Sequence, residues 1–320
     1  MFLTMNSSQR FMEQGYWVVP NVLDPFTDLQ PLKDDYARLL EQVAERAFQA
    51  GIIPDRFAEF PFETRMGKLL STAQTNLFKA FDICLPNEPL TEDSPLHLSE
   101  AIFNLLRNPR ILDAVEQLIG GEIYSNPIQH VRIKPPQAVL STNRLTSTLV
   151  RTTGWHQDQG VSREVADQTE MITVWVAITD ATLENGCLQV IPYSHREGMS
   201  VHCPSDEMTI PPHLLNGEPL PVPLKAGDAL ILHRLTKHAS LPNISSGIRW
   251  SFDLRYQPIG QPTGRDELPG FVARSRNNPA QELHDYAEWV ARWQAAKARL
   301  VAQSFREKTH RWNSDAPACA

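Results

Sequence analysis

The sequence predicts a mainly β fold with flanking helices, on two alternating segments and one helical repeat. Across residues 248–256 the even positions Ile248, Trp250, Phe252, Leu254 and Tyr256 are apolar, and the odd positions Arg249, Ser251, Asp253 and Arg255 are polar. Successive side chains of a strand point to opposite faces, so one face of this strand is packed and the other is wet or functional. From Met171 to Asp180 the same period puts Ile172, Val174, Val176 and Ile178 on one face, and Thr173, Trp175, Ala177 and Thr179 on the other. By contrast, Leu32, Tyr36, Leu39, Leu40, Val43 and Ala47 come after Pro31 at helical spacing, with proline suited to the first helical position.

The remaining elements are taken in chain order. Phe11 to Gly15 closes a short first helix, and residues 16–20 read as a strand ending in a proline-marked turn. Residues 50–97 are broken by Pro54, Pro61, Pro86, Pro89 and Pro95. There Phe57, Phe60, Phe62, Phe78, Phe81 and Arg65 read first as buried packing and second as a substrate entrance. Asn108-Pro109 forms the N-cap and first position of a helix through Ile111, Leu112, Val115, Leu118 and Ile119, stopped by Gly120-Gly121. A strand over 128–134 leads to Pro135-Pro136, and the polar run 141–153 is either a lid or a passive insertion. Asn185-Gly186 marks a tight turn before strand 187–192. Residues 202–223 read as a long surface loop with His202 and His213 solvated, and 225–231 as a turn entering a strand. The pattern 281–311, with Leu283, Tyr286, Val290, Trp293 and Leu300, is a helix lying on the domain or on the second subunit of a homodimer.

Composition narrows the class. At 320 residues and 42% hydrophobic the chain can bury a sizeable core. One domain, 1–320, is expected, divided into a helical, substrate-side segment at 10–122, a β core at 123–258 and a C-terminal helix at 281–312. A net charge of −7 speaks against nucleic acid or an anionic membrane as a partner, leaving a small-molecule substrate. Cys84, Cys187, Cys203 and Cys319 show no paired spacing, which suggests reduced thiols in the cytoplasm rather than a disulfide framework. No signal-like or membrane-spanning apolar run is seen.

The chemistry centres on Gly154-Trp155-His156-Gln157-Asp158-Gln159-Gly160. In extended chain His156 and Asp158 share a face, so an imidazole and a carboxylate can converge on one metal ion. A third ligand is needed, and among several downstream histidines His238 is preferred because Arg249 lies eleven residues beyond it. Two histidines and one carboxylate with open positions suit non-haem Fe(II).

His156-x-Asp158, Trp175 in a strand, residues 184–195 (ENGCLQVIPYSH), and His238 with Ser240 and Arg249 together resemble the phytanoyl-CoA dioxygenase family. The likeness extends back to Lys134-Pro135-Pro136 and to residues 15–24, covering about residues 10–258. It implies a double-stranded β-helix, a jelly-roll barrel of two antiparallel sheets. It also implies Fe(II) on His156, Asp158 and His238, with 2-oxoglutarate and dioxygen as cosubstrates. Arg249 would grip the far carboxylate of 2-oxoglutarate as a planar fork, with Ser240 and Ser251 as hydrogen-bond donors, Trp175 bordering the pocket and His130 within reach of it. Trp175 as a plain core residue and His130 as an ordinary strand histidine stay open. The reaction implied is hydroxylation at carbon, or desaturation or cyclisation, with release of succinate and CO2. With Asp158 present there is no vacated position for chloride. A cupin-like isomerase, a metal-assisted hydrolase, or a metal-binding barrel without turnover are the rival readings. Substrate choice is expected in residues 55–82 and 137–153, and Arg255 is read as a structural ion pair ahead of a substrate contact.

Overall fold

The computed structural model describes residues 6–73, 76–85, 89–140, 152–204, 208–303, 311–312 and 315–319. Helix α1 (Ser7–Gln14) is capped by Asn6, whose side chain accepts the Gln9 N–H at 2.8 Å. It ends at Gly15, whose φ of 83° favours a residue without Cβ. Strand β1 (Tyr16–Val19) comes next, and a π turn at Pro25–Leu29 then leads into α2 (Gln30–Gln49). Leu32, Tyr36, Leu40, Val43 and Ala47 are buried as their period predicts, while Leu39 is half-buried. Helices α3 (Phe62–Thr72) and α4 (Glu100–Leu106) lie within the stretch that the prolines made hard to read or just beyond it. Helix α5 (Pro109–Ile119) starts at the Asn108 cap and stops at Gly120, as expected.

The strands continue with β2 (Glu122–Ser125) and β3 (His130–Lys134), a short helix α6 (Gln137–Leu140), then β4 (Ile172–Ala177) and β5 (Leu188–Val190). After them come β6 (Cys203–Pro204), β7 (Met208–Thr209), β8 (Leu220–Val222), β9 (Ala229–His233), β10 (His238–Ser240), β11 (Arg249–Pro258) and β12 (Phe271–Ser275). The order β1-β9-β4-β11-β2-β12, with β3 also paired to β11, makes a seven-stranded sheet, and β10-β5-β8 makes a three-stranded one. Among the described residues every strand pairing is antiparallel. The two sheets enclose a double-stranded β-helix, with the helices on the outside of the larger sheet.

Two cores result from the alternation. Outside the large sheet, Trp250 and Phe252 of β11 meet Tyr36 of α2 at ring distances of 4.9 and 5.8 Å, and Phe62 of α3 lies 5.4 Å from Trp250. Between the sheets, Trp175, Leu230 and Leu232 pack with Leu188, Val190 and Val222. The polar face of β11, expected to be wet or functional, is largely buried as well: Arg249, Ser251 and Arg255 are buried and Asp253 half-buried, and all six residues of the neighbouring β4 are buried. Burying both faces is what makes a sheet an internal wall rather than a surface.

Several expectations are corrected. Helix α7 runs Tyr286–Ala302, not 281–312, because Pro279 opens a 3-10 turn and Asp285 caps the helix with bonds to the Ala287 and Glu288 N–H groups. It packs on its own chain, with Trp289 stacked 5.4 Å from Phe103, which is one of the two placements expected. The β core reaches beyond 123–258, since β1 and β12 join the large sheet. Residues 202–223 include strands, and His202 is fully buried rather than solvated, whereas His213 is exposed. Cys203 and Cys319 form a disulfide across 116 residues, a pairing that no local spacing signals, and it removes the thiol argument for a reducing compartment. Cys84 and Cys187 are free and buried. Among the described residues no helix is long and apolar enough to cross a membrane.

Of the suggested entrance residues, Phe78 and Phe81 are buried and Phe62 faces the outer core. Arg65 pairs with Glu41 at 2.5 Å in the helical layer, so the packing reading holds for these residues. In 137–153, residues 141–151 lie outside the described residues.

Candidate metal centre

His238 opens β10, and its N–H and C=O exchange hydrogen bonds of 3.0 Å each with those of His156. Directly opposed residues of an antiparallel pair point to the same face, and the two imidazole rings lie 4.2 Å apart. Gln157 is extended (φ −117°, ψ 135°), which returns Asp158 to the face of His156, and there the chain turns into a 3-10 helix, Asp158–Val161. The expected metal strand is thus a single bridge leading into a turn, yet the face-sharing argument survives because it needs only one extended residue between the ligands.

The ligand atoms of His156, Asp158 and His238 all lie within 4.8 Å of one another. His156 Nε2 is 3.9 Å from Asp158 Oδ1, and His238 Nε2 is 3.8 Å from Asp158 Oδ2. Metal bonds of about 2.1 Å span up to about 4.2 Å between two donor atoms, so one ion fits between Asp158 and either histidine. The tautomers are set by the backbone: His156 Nδ1 donates to Gly154 O at 2.9 Å and His238 Nδ1 to Thr236 O at 3.0 Å. Both Nε2 lone pairs are therefore turned inward, as a metal requires. Burial, reinforced by His238, holds His156 well below the usual histidine pKa and keeps it neutral.

Asp158 is secured on both oxygens. Arg255 Nη2 donates to Oδ1 at 2.7 Å and Thr173 Oγ1 to Oδ2 at 2.6 Å. Burial by itself would raise this carboxyl's pKa, but Arg255, the two histidines and the Thr173 hydroxyl together hold it well below the usual carboxylate range. Arg255 is an ion pair with the metal-site acid, and Thr173 is a partner that sequence reading placed on the right face without seeing its role. Gln157 has every polar group engaged: its N–H meets His202 Nε2 at 2.9 Å, its amide nitrogen donates to Gly198 O and Leu235 O at 2.8 Å each, and its oxygen accepts the Ser200 N–H at 2.7 Å. The peptide between the two ligands is pinned.

Beyond the triad, the inner face of β11 carries Arg249, Ser251, Asp253 and Arg255. Arg249 is 1% exposed and, among the described residues, pairs with no carboxylate. Its Nη1 donates to Ser251 Oγ at 2.7 Å and its guanidinium lies 5.2 Å from the Trp175 ring. Burial lowers its pKa to about 10, so it remains charged at neutral pH. Ser240 Oγ accepts from Lys134 Nζ and from the Thr153 N–H at 2.8 Å, which leaves its own proton to donate. Arg132 Nε donates to Asp253 at 2.7 Å, a pair not foreseen. His130 is bound to Asp82 at 2.9 Å, and among the described residues no contact joins it to the triad.

The family model for phytanoyl-CoA dioxygenase (PhyH) matches residues 11–251. The chain is similar to a 1-deoxypentalenic acid 11-beta-hydroxylase of Streptomyces exfoliatus, 22% identical over 264 residues, 78% of this chain and 90% of that protein. A shorter likeness, 34% identical over 92 residues, joins it to phytanoyl-CoA dioxygenase domain-containing protein 1 of Rattus norvegicus, covering 26% and 31% of the two chains. Among solved structures, the non-heme monooxygenase ThoJ superposes with a TM-score of 0.55 at 20% identity over 92% of this chain and 99% of that one. The epimerase SnoN, in complex with Fe3+, alpha ketoglutarate and nogalamycin RO, gives 0.50 at 20% over 81% and 86%. With the family model matched over residues 11–251, three quarters of the chain including every residue of the triad, the chain belongs to the phytanoyl-CoA dioxygenase family of non-haem iron, 2-oxoglutarate-dependent oxygenases.

Proposed function

We propose that this protein oxidises a small organic substrate at carbon, by hydroxylation or by the related desaturation or ring closure, while 2-oxoglutarate becomes succinate and CO2. The observation that carries the reading is the pairing of a buried His156–Asp158–His238 cluster with Arg249, a buried cation that has no carboxylate partner among the described residues. A buried charge left unpaired is costly, and a dicarboxylate reaching from the metal to Arg249 relieves that cost.

His156, Asp158 and His238 hold Fe(II) and leave three positions for cosubstrate and dioxygen. When bound, the iron supplies the activation of dioxygen that couples decarboxylation to oxidation of substrate carbon. Arg249 grips the far carboxylate, Ser251 fixes the plane of its guanidinium, Ser240 donates its proton to the same group and Trp175 walls the pocket. His130, engaged by Asp82, is the weakest of the proposed cosubstrate contacts. No step requires a side-chain acid or base. The activities named for similar proteins, a hydroxylase, an epimerase, a carbocyclase and a monooxygenase, match that breadth of outcome. A hydrolase or isomerase has no use for Arg249. The net charge of −7 supports a small molecule rather than nucleic acid as partner.

The test is oxygen uptake and succinate release with Fe(II) and 2-oxoglutarate across a panel of candidate substrates, together with iron content. His238→Ala is expected to lose stoichiometric iron and turnover while keeping its fold. Full iron loading and activity in that variant would show that the third ligand is wrong, and turnover indifferent to 2-oxoglutarate would remove the oxygenase reading.

A further inference from the structure

The turn that carries Asp158 is clasped from outside by the end of the chain. Arg311 Nη2 donates to Gln159 O at 2.9 Å, and its Nη1 pairs with Asp167 at 2.6 Å. Trp312 Nε1 donates to Gly160 O at 2.5 Å, and its indole stacks on His202 at 5.4 Å. His202 in turn accepts the N–H of Gln157, the residue between the two metal ligands, and sits so close to Gly160 that a Cβ there would collide with the imidazole. The next residue, Cys203, is bonded to Cys319, so the strand beside His202 and the tail bearing Arg311 and Trp312 are joined covalently. Both cysteines are partly exposed. These tail residues lie outside the family-matched stretch 11–251.

We propose that Arg311 and Trp312 are positioning residues for the metal centre, and that the Cys203–Cys319 disulfide holds them there, making metal affinity sensitive to thiols. Two carbonyls of the Asp158 turn, Gln159 O and Gly160 O, accept their bonds from the tail, and His202, which meets the Gln157 amide, is covered by the indole. With the disulfide closed, Trp312 is tethered to the strand beside His202 through the seven residues up to Cys319, which keeps the tail close to the turn and favours its return. A dithiol reductant opens it: its two thiols become a cyclic disulfide while Cys203 and Cys319 take up two electrons and two protons. The tail is then free to lift, the turn loses both donors, and Asp158 loses the support that sets its angle to the two histidines. Partners that orient a ligand from behind alter metal affinity by roughly 10- to 100-fold.

The proposal rests on Asp158 being a metal ligand, and its test separates the two ideas. Mn(II) binding to the full-length protein is measured calorimetrically, oxidised and after dithiothreitol, for wild type, Trp312→Ala and His238→Ala, with free thiols counted under denaturing conditions. The expected result is a wild-type dissociation constant raised about tenfold on reduction. Trp312→Ala should be weakened already when oxidised and change little more on reduction, because the clasp is lost by either route. Trp312→Phe, which keeps the stacking but not the N–H, should fall between them. Hydrogen exchange should quicken at the amides of residues 159–162 and not in β11, a pattern that general destabilisation would not give. If reduction frees two thiols and Mn(II) affinity stays constant, or if the oxidised protein already shows four thiols, the clasp is refuted. If His238→Ala binds Mn(II) like wild type, the ligand assignment has failed instead.

Discussion

Replacing Thr173 by valine removes one hydrogen bond from Asp158 and almost nothing else. The two side chains have the same shape, Thr173 is 3% exposed, and its Oγ1 lies 2.6 Å from Asp158 Oδ2. A hydrogen bond to a charged acceptor contributes about 1.5–3 kcal/mol, and Asp158 keeps Arg255 on its other oxygen, so the carboxylate is loosened rather than abandoned. A 10- to 100-fold loss of metal affinity is expected, which corresponds to about 1.4–2.7 kcal/mol. Anaerobic titration with Fe(II) or Mn(II) measures the loss, and Thr173→Ser is the control because it retains the donor. Wild-type affinity in the valine variant, or an equal loss in the serine variant, would show that the bond does not orient Asp158.

Arg249→Ala should weaken 2-oxoglutarate binding by roughly 2–5 kcal/mol, since it removes a charge-assisted partner in a desolvated site; an unchanged KM for 2-oxoglutarate would sink the assignment. Stability should fall on mild acidification. Burial lowers His202 to about 4, and burial with His195 and Arg234 lowers His233 to about 4. With an unfolded value near 6.5, the unfolded chain binds more protons between those limits, so stability is full above about pH 6.5 and declines as pH drops toward 4. At pH 5 each histidine accounts for about 2 kcal/mol. Urea denaturation of the metal-free protein at pH 7 and pH 5 should show the loss, with a smaller one in His233→Gln; equal midpoints at both pH values would contradict it.

The sequence by itself determined the faces of β4 and β11, helices α2 and α5 with the Asn108 cap, and the closeness of His156 to Asp158. Each depends on positions a few residues apart, where period and backbone geometry act directly. The face of β11 that Arg249 shares with Ser251 and Arg255 was legible too, because it is counted along one strand from Ile248. What the chain does across distance was decided only by tertiary structure. Arg255 reaches Asp158 over 97 residues and Cys203 meets Cys319 over 116, and no local period encodes such pairings. His202 looked solvated because prolines surround it, yet it is buried against Gln157, whose buried N–H between the two ligands needs an acceptor. Phe62 and Arg65 read first as packing, with an entrance left open, because aromatic and basic residues suit either a core or a pocket. The packing of α3 on the outer face of Trp250 turns Phe62 away from the metal, and Glu41 takes the Arg65 charge.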